Sequence, residues 1–74
     1  MNSTQFKKSV HWLYGNRWQA DAGRLLGLSR RHVSRLAEGV CPVKPEVRTT
    51  IRRELRSRAA DIAFLLAELT GRKE

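Results

Sequence analysis

The stretch that decides the fold lies at residues 19–39 and has the sequence QADAGRLLGLSRRHVSRLAEG. Apolar residues recur at helical spacing on both sides of Gly27, and Ser29 is a favourable N-cap for the second of the two segments. Gly27 can adopt the positive φ that a tight turn needs. Gly23 offers a position without a side chain where two steeply crossing helices approach closely. The stretch therefore predicts two short helices joined by a turn of three or four residues.

Helical periodicity also precedes this stretch. Ser3 or Thr4 is the expected N-cap of a first helix, which Gly15 ends. Asn16 is expected to start the next helix, with Gln19 completing a capping box. The apolar residues of the first helix are Phe6, Val10, Leu13 and Tyr14.

A long helical pattern follows Gly39. Pro45 suits the first turn of this last helix, because its missing N–H costs nothing there. The apolar stripe consists of Val47, Ile51, Leu55, Ile62, Leu66 and Leu69. Arg58 falls within the stripe, which leaves two possibilities open: a kink near Ser57, or a continuous helix whose long Arg58 side chain reaches water.

The charge of the chain indicates a polyanionic partner. Its 74 residues contain 15 Lys and Arg against 7 Asp and Glu, a net charge of +8. Arginine prevails among these cations, and its planar fork suits phosphates and guanine edges. Charge alone does not separate DNA from RNA or from an anionic membrane.

The outward face of the segment 30–38 concentrates this charge. With Val33 and Leu36 turned inward, the helix presents donors that read base edges in a major groove. These candidate base-reading residues are Ser29, Arg30, Arg31, Ser34 and Arg35. Candidate phosphate contacts lie at the start of the preceding helix, within the segment and just beyond it. They are Asn16, Arg17, Gln19, His32, Lys44 and Arg48.

Residues 19–39 resemble the helix-turn-helix of phage Cro and repressor proteins and their relatives on plasmids and mobile elements, including autorepressors encoded beside anti-CRISPR genes. The resemblance rests on Gln19, on Ala22 and Gly23, on the run Leu26-Gly27-Leu28-Ser29, and on Val33, Leu36 and Gly39. It departs from the family at Gly23, where alanine is usual, and it lacks the family's long N-terminal arm. The resemblance implies that helix 30–38 lies in the major groove of duplex DNA.

The C-terminal segment predicts a protein–protein interface. It is apolar around most of its circumference, more than one small core can use, and so short a domain is marginally stable alone. The candidate dimer residues are Ile62, Phe64, Leu65, Leu66 and Leu69. A kink that folds the last helix back onto its own chain is the alternative.

Other kinds of site have little support in the sequence. No paired carboxylates or nucleophile–base pair share a face, so no catalytic residue is expected. His32 has no Cys or His partner at metal-ligand spacing, so neither a metal nor another cofactor is expected. The lone Cys41 fits a reducing cytoplasm, and no run is long enough to span a membrane.

Together these patterns predict an all-α fold, a four- to five-helix bundle in a single domain over residues 1–74. A helix-turn-helix at 19–39 and a C-terminal dimerisation segment at 46–70 are its parts. The expected protein is a cytoplasmic, nucleoid-associated homodimeric repressor, without a small-molecule substrate, that binds a palindromic double-stranded DNA operator. The alternatives are an antitoxin or excision factor, or a basic adaptor for RNA or an acidic protein.

Overall fold

Four α-helices and one 3-10 turn make up the computed structural model, which describes residues 1–71. They are α1 (Ser3–Tyr14), the 3-10 turn (Gly15–Arg17), α2 (Trp18–Leu26), α3 (Arg30–Glu38) and α4 (Pro45–Gly71). No strand occurs within residues 1–71. The all-α class predicted from the sequence is confirmed.

Asn2 caps the N-terminus of α1. Its side-chain oxygen accepts a hydrogen bond from the Gln5 N–H at 2.8 Å, and the Gln5 side chain accepts one from the Asn2 N–H at 3.0 Å. This reciprocal pair is a complete capping box. The expected cap at Ser3 or Thr4 was therefore wrong, because only Asn2 is followed three residues later by a glutamine.

The predicted start of the second helix at Asn16 was also wrong. Residues Gly15–Arg17 form a 3-10 turn, and α2 begins at Trp18 without any side-chain cap. The reason is that the backbone supplies the missing partners itself: the Gly15 N–H bonds the His11 carbonyl, and the Trp18 N–H bonds the Gly15 carbonyl. The His11 and Trp18 rings pack against each other at this corner, with their centroids 5.1 Å apart.

The turn between α2 and α3 has the predicted chemistry. Gly27 adopts a left-handed conformation with φ 70°, and the Ser29 hydroxyl accepts a hydrogen bond from the His32 N–H at 3.1 Å. The Leu28 N–H donates to the Gly23 carbonyl at 2.9 Å. A Cβ added at Gly23 would lie only 2.6 Å from the Leu28 carbonyl oxygen, so this position admits no side chain without a backbone shift.

One small core joins all four helices. Its buried members come from α1, α2, α3 and the first half of α4, and Leu25, Leu28, Val47 and Leu55 pack around them half-buried. The side chains with almost no exposed surface are Phe6, Val10, Ala22, Val33, Leu36 and Ile51. The helices that carry the candidate interface are thus fixed to one another by apolar burial, the main stabilising term in folding.

Helix α4 is continuous through Ser57, which answers the question the sequence left open. The Arg58 guanidinium pairs with Glu54 at 3.2 Å and lies over the Tyr14 ring at 5.7 Å. Burial, and then the negative charge of Glu54, raise the pKa of Tyr14. Beyond Arg58, every residue to Gly71 is exposed, so the second half of α4 contributes nothing to the core.

No helix in the described part of the chain is long and apolar enough to cross a membrane.

Candidate nucleic-acid interface

Helix α3 presents a row of cations to solvent. Val33 and Leu36 are buried, while Arg30, Arg31 and Arg35 are exposed. At about 100° of rotation per residue, Arg31 and Arg35 lie one helical turn apart and roughly opposite Val33. Two adjacent guanidinium groups directed away from the core can each donate two parallel hydrogen bonds to one base edge or phosphate.

The other predicted base-reading residues occupy less central positions. Ser34 is half-buried on α3, and Arg30 lies toward the edge of the exposed face. Ser29 is exposed, but its oxygen already accepts the capping hydrogen bond from His32. Its hydroxyl proton is still available for donation, because a serine hydroxyl both donates and accepts.

None of the α3 arginines takes part in an ion pair with another described residue. The two ion pairs within residues 1–71 join Arg24 to Asp21 and Arg58 to Glu54, each at 3.2 Å. The positive potential of α3 is therefore not cancelled by a neighbouring carboxylate at contact distance. An uncompensated positive surface of this kind attracts polyanions.

The structure brings two of the predicted phosphate contacts together. Lys44 and His32 line one depression, of about 400 Å³, next to Leu28 and Val47. This depression adjoins α3 at His32 and Leu36, and both Lys44 and His32 are exposed residues. A cation and an imidazole in this place have the chemistry to contact a phosphate next to α3.

The remaining predicted phosphate contacts lie apart from this pair. Asn16 and Arg17 are exposed in the 3-10 turn, and Gln19 is half-buried in the first turn of α2. Arg48 does not join Lys44. It lines a separate groove between α4 and α1 with Lys8 and Arg52, among others.

An apolar groove runs along the second half of α4. It has a volume of about 530 Å³ and is lined by Trp12, Leu55, Ala59, Ile62, Ala63 and Leu66. Ile62 and Leu66 belong to the predicted dimer residues and are 47% and 59% exposed. Trp12 of α1, 65% exposed, forms a wall of the groove that was not predicted from the sequence.

The other three predicted dimer residues surround this groove or face away from it. Leu65 and Leu69 lie on the flank of the same stripe, whereas Phe64 is about 200° from Ile62 by helix geometry and so points to the opposite side. All three are strongly exposed, Leu69 most of all. The predicted set therefore forms two surfaces, of which the one with Trp12 is concave.

Sequence reasoning also missed the basic residues of α4. Arg52, Arg53 and Arg56 are exposed and, with Thr49, line one shallow depression. The available signal was the run of arginines at spacings of three and four residues, which places them on neighbouring turns. No group of three His, Cys, Asp or Glu side chains within residues 1–71 is arranged to hold a metal ion.

Comparison of the chain with protein-family models, curated proteins and solved structures finds no match.

Proposed function

We propose that the protein is a sequence-specific regulator that binds double-stranded DNA, most simply as a homodimeric repressor on an inverted-repeat operator. In this proposal α2 and α3 form a helix-turn-helix, and α3 enters the major groove. The protein would act in the cytoplasm, on the nucleoid.

One observation carries the proposal: the exposed arginine row of α3 stands on the second of two short helices fixed by a tight turn. The α2–α3 junction is held by the N-cap Ser29, the left-handed Gly27 and the close backbone contact at Gly23. A short helix fixed in this way presents its side chains in one geometry, as base recognition requires. Arg31 and Arg35 then have the position and chemistry to donate to guanine.

Phosphate contacts would set the register of α3 on the duplex. Lys44 and His32, which share the depression beside α3, are best placed for this role. Asn16, Arg17 and Gln19 keep their predicted phosphate role as part of the proposal, whereas Arg48 lies in the separate groove with Lys8 and Arg52. Such contacts orient a protein on DNA without reading its sequence.

A second copy of the chain is the proposed occupant of the apolar groove. A single helix of about 13 exposed residues gains little stability from its backbone alone and ordinarily depends on packing. The stripe with Ile62 and Leu66 has the small residues Ala59 and Ala63 beside it, which allow close approach of a partner helix. A two-fold dimer through this groove would supply two α3 helices for the two half-sites.

Selection of bound duplexes from a random double-stranded DNA pool tests the proposal directly. The full chain should enrich one inverted repeat, and its affinity for that repeat should fall steeply with salt while exceeding its affinity for random duplex. Equal retention of all duplexes would contradict sequence-specific regulation. Preference for RNA or for an acidic polypeptide over every duplex would favour the adaptor function instead.

A further inference from the structure

A second basic surface lies on α4, away from α3. We define the α4 basic ridge as Arg52, Arg53 and Arg56, all exposed, with Lys8 of α1 in the groove beside Arg52. None of these four cations makes an ion pair with another residue in the range 1–71. Four positive charges, three on α4 and one on α1, are therefore left for an external partner or for solvent.

The position of the ridge follows from the contacts of Val47. This residue lines the depression formed with Leu28, His32 and Leu36, so its side of α4 faces α2 and α3. At about 100° per residue, the three ridge arginines lie roughly 120° to 180° around the helix from Val47. The α4 basic ridge thus points away from the helix that carries the proposed base-reading residues.

The chemistry of the ridge fits a phosphate backbone better than a protein surface. Protein interfaces are anchored by buried aromatic or apolar side chains, whereas the depression at the ridge is lined only by Thr49 and the three arginines. Arg52 and Arg56 stand one turn apart, about 6 Å along the axis. A row of guanidinium groups at this spacing can follow the repeating charges of one nucleic-acid strand, since guanidinium binds phosphate bidentately.

We propose that the α4 basic ridge binds the backbone of a second DNA duplex, so that one protein molecule joins two duplex segments. This inference rests on the proposed function, because α3 must hold the first segment. Binding at the ridge is independent of sequence, since no side chain there reaches into a groove to read bases. The second segment can therefore be any neighbouring duplex.

A capture experiment tests the bridge. A duplex carrying the selected inverted repeat is fixed to beads and loaded with the full chain, and a labelled duplex without the repeat is then added at low salt. The wild type should retain the labelled duplex. The double variant Arg53→Gln/Arg56→Gln should load onto the fixed duplex about equally well but retain about tenfold less labelled duplex, because two phosphate contacts are lost.

The matched control is Lys7→Gln/Arg24→Gln, which removes the same charge from exposed positions outside the ridge and outside the proposed interface. It should capture the labelled duplex like the wild type. An equal loss in the control would show that capture depends on the net charge of the protein and not on the ridge, and it would overturn the proposal. Loss of loading by the ridge variant would overturn it too, since the ridge would then touch the same duplex as α3.

Two further outcomes separate this inference from the proposed function. Loading onto the fixed duplex without capture by the wild type would overturn the bridge alone, and failure to load on any duplex would overturn both. Unchanged capture by the ridge variant would also overturn the bridge through the ridge, because the second duplex would then be held by the other α3 helix of a dimer. Polyglutamate and unlabelled DNA can be added as competitors at equal total charge. If polyglutamate displaced the labelled duplex as effectively as the DNA does, the ridge would be a site for acidic polypeptides, against the proposal.

Discussion

Gly23 combines an unfavourable helix position with a close backbone contact. Inside a helix, glycine costs about 1 kcal/mol relative to alanine. The Leu28 carbonyl oxygen, 2.6 Å from the place of a Cβ, explains why α2 has no side chain here. The chain between α2 and α3 folds back over this position, where its Leu28 N–H also bonds the Gly23 carbonyl.

We predict that Gly23→Ala destabilises the protein although alanine favours helix. Overpacking of a close contact costs about 1–3 kcal/mol. Over most of that range the cost exceeds the gain of about 1 kcal/mol in helix propensity. The melting temperature should fall by several degrees, about 4–8 °C for each net kcal/mol in a domain of this size. Gly71→Ala is the control, because a Cβ there would meet nothing within 4 Å. A rise in melting temperature for Gly23→Ala would contradict the prediction, because it would show that the Leu28 backbone moves away from α2 at little cost.

Arg31 and Arg35 are predicted to read bases. Replacing either with alanine should weaken binding to the selected duplex by about 1–3 kcal/mol, with a much smaller loss on random duplex. Binding of the two duplexes by fluorescence anisotropy gives the comparison. Arg24→Ala removes an exposed arginine of α2 that is paired with Asp21, and it should change neither affinity. Equal losses on both duplexes would make the residue a backbone contact.

The glycines that end α2 and α3 and the Ser29 cap of α3 were predictable from the sequence, whereas the start of α2 was not. Gly27 and Ser29 have local roles that residue type alone reveals. Asn16 has a capping residue type too, but α1 continues into a 3-10 turn whose backbone bonds replace the cap. A residue that favours the N-cap position does not start a helix where backbone carbonyls already accept the nearby N–H groups.

The depression beside α3 leads to a prediction about salt. Neutralising Lys44 as Lys44→Gln should reduce the slope of log affinity against log salt by about 0.9, because one fewer counterion is released. The preference for the selected sequence should be unchanged. Arg48→Gln, predicted from the sequence to behave alike, is the informative comparison, since Arg48 lies with Lys8 and Arg52 in a different groove. A slope unaffected by Lys44→Gln would remove Lys44 from the phosphate contacts.

Helix α4 has two apolar faces, and a pair of substitutions distinguishes them. Leu66 lines the groove with Trp12, and Phe64 points the other way, yet the two are similarly exposed. If the protein is a monomer, the carboxylate introduced by Leu66→Asp or by Phe64→Asp stays exposed, so the core should persist. In a dimer through the groove, Leu66→Asp buries an unpaired charge and should give a monomer by sedimentation, because that burial is strongly unfavourable.

Phe64→Asp tests whether the opposite face of α4, which the sequence also assigned to the dimer interface, contributes to dimerisation. Dissociation by Phe64→Asp and not by Leu66→Asp would move the interface to the opposite face of α4. A monomeric wild type at micromolar concentration, unaffected by either substitution, would contradict dimerisation altogether.

The long apolar helix α4 was predictable from the sequence, but the wall that Trp12 forms beside it was not. The apolar stripe of α4 is visible as a periodicity, and its second half has more apolar surface than the core uses. Trp12 reaches the groove only because α1 packs on α4, a tertiary contact that no local pattern records. The sequence likewise did not reveal that Arg58 would pair with Glu54 and lie over the Tyr14 ring within a continuous α4.

The whole molecule combines a small core with a long exposed helix. Its longest dimension is 52 Å, more than twice the other two, because the second half of α4 extends beyond the core. Small domains bury a low fraction of their surface and often need an additional source of stability. A two-fold dimer through α4 would give both that stability and a fixed separation between two α3 helices.

This geometry predicts cooperative use of two half-sites. Once one α3 helix is bound, the second is held at high effective concentration, so the wild type should bind the full inverted repeat about 100-fold tighter than a half-site. Leu66→Asp should bind the two nearly equally, because its second α3 is no longer tethered. Insertion of about five base pairs between the half-sites should remove the advantage for the wild type, since half a helical turn places the second site on the opposite face of the duplex. Titration of all three duplexes by anisotropy gives the measurement, and equal affinity of the wild type for full site and half-site would contradict a dimer that reads both halves.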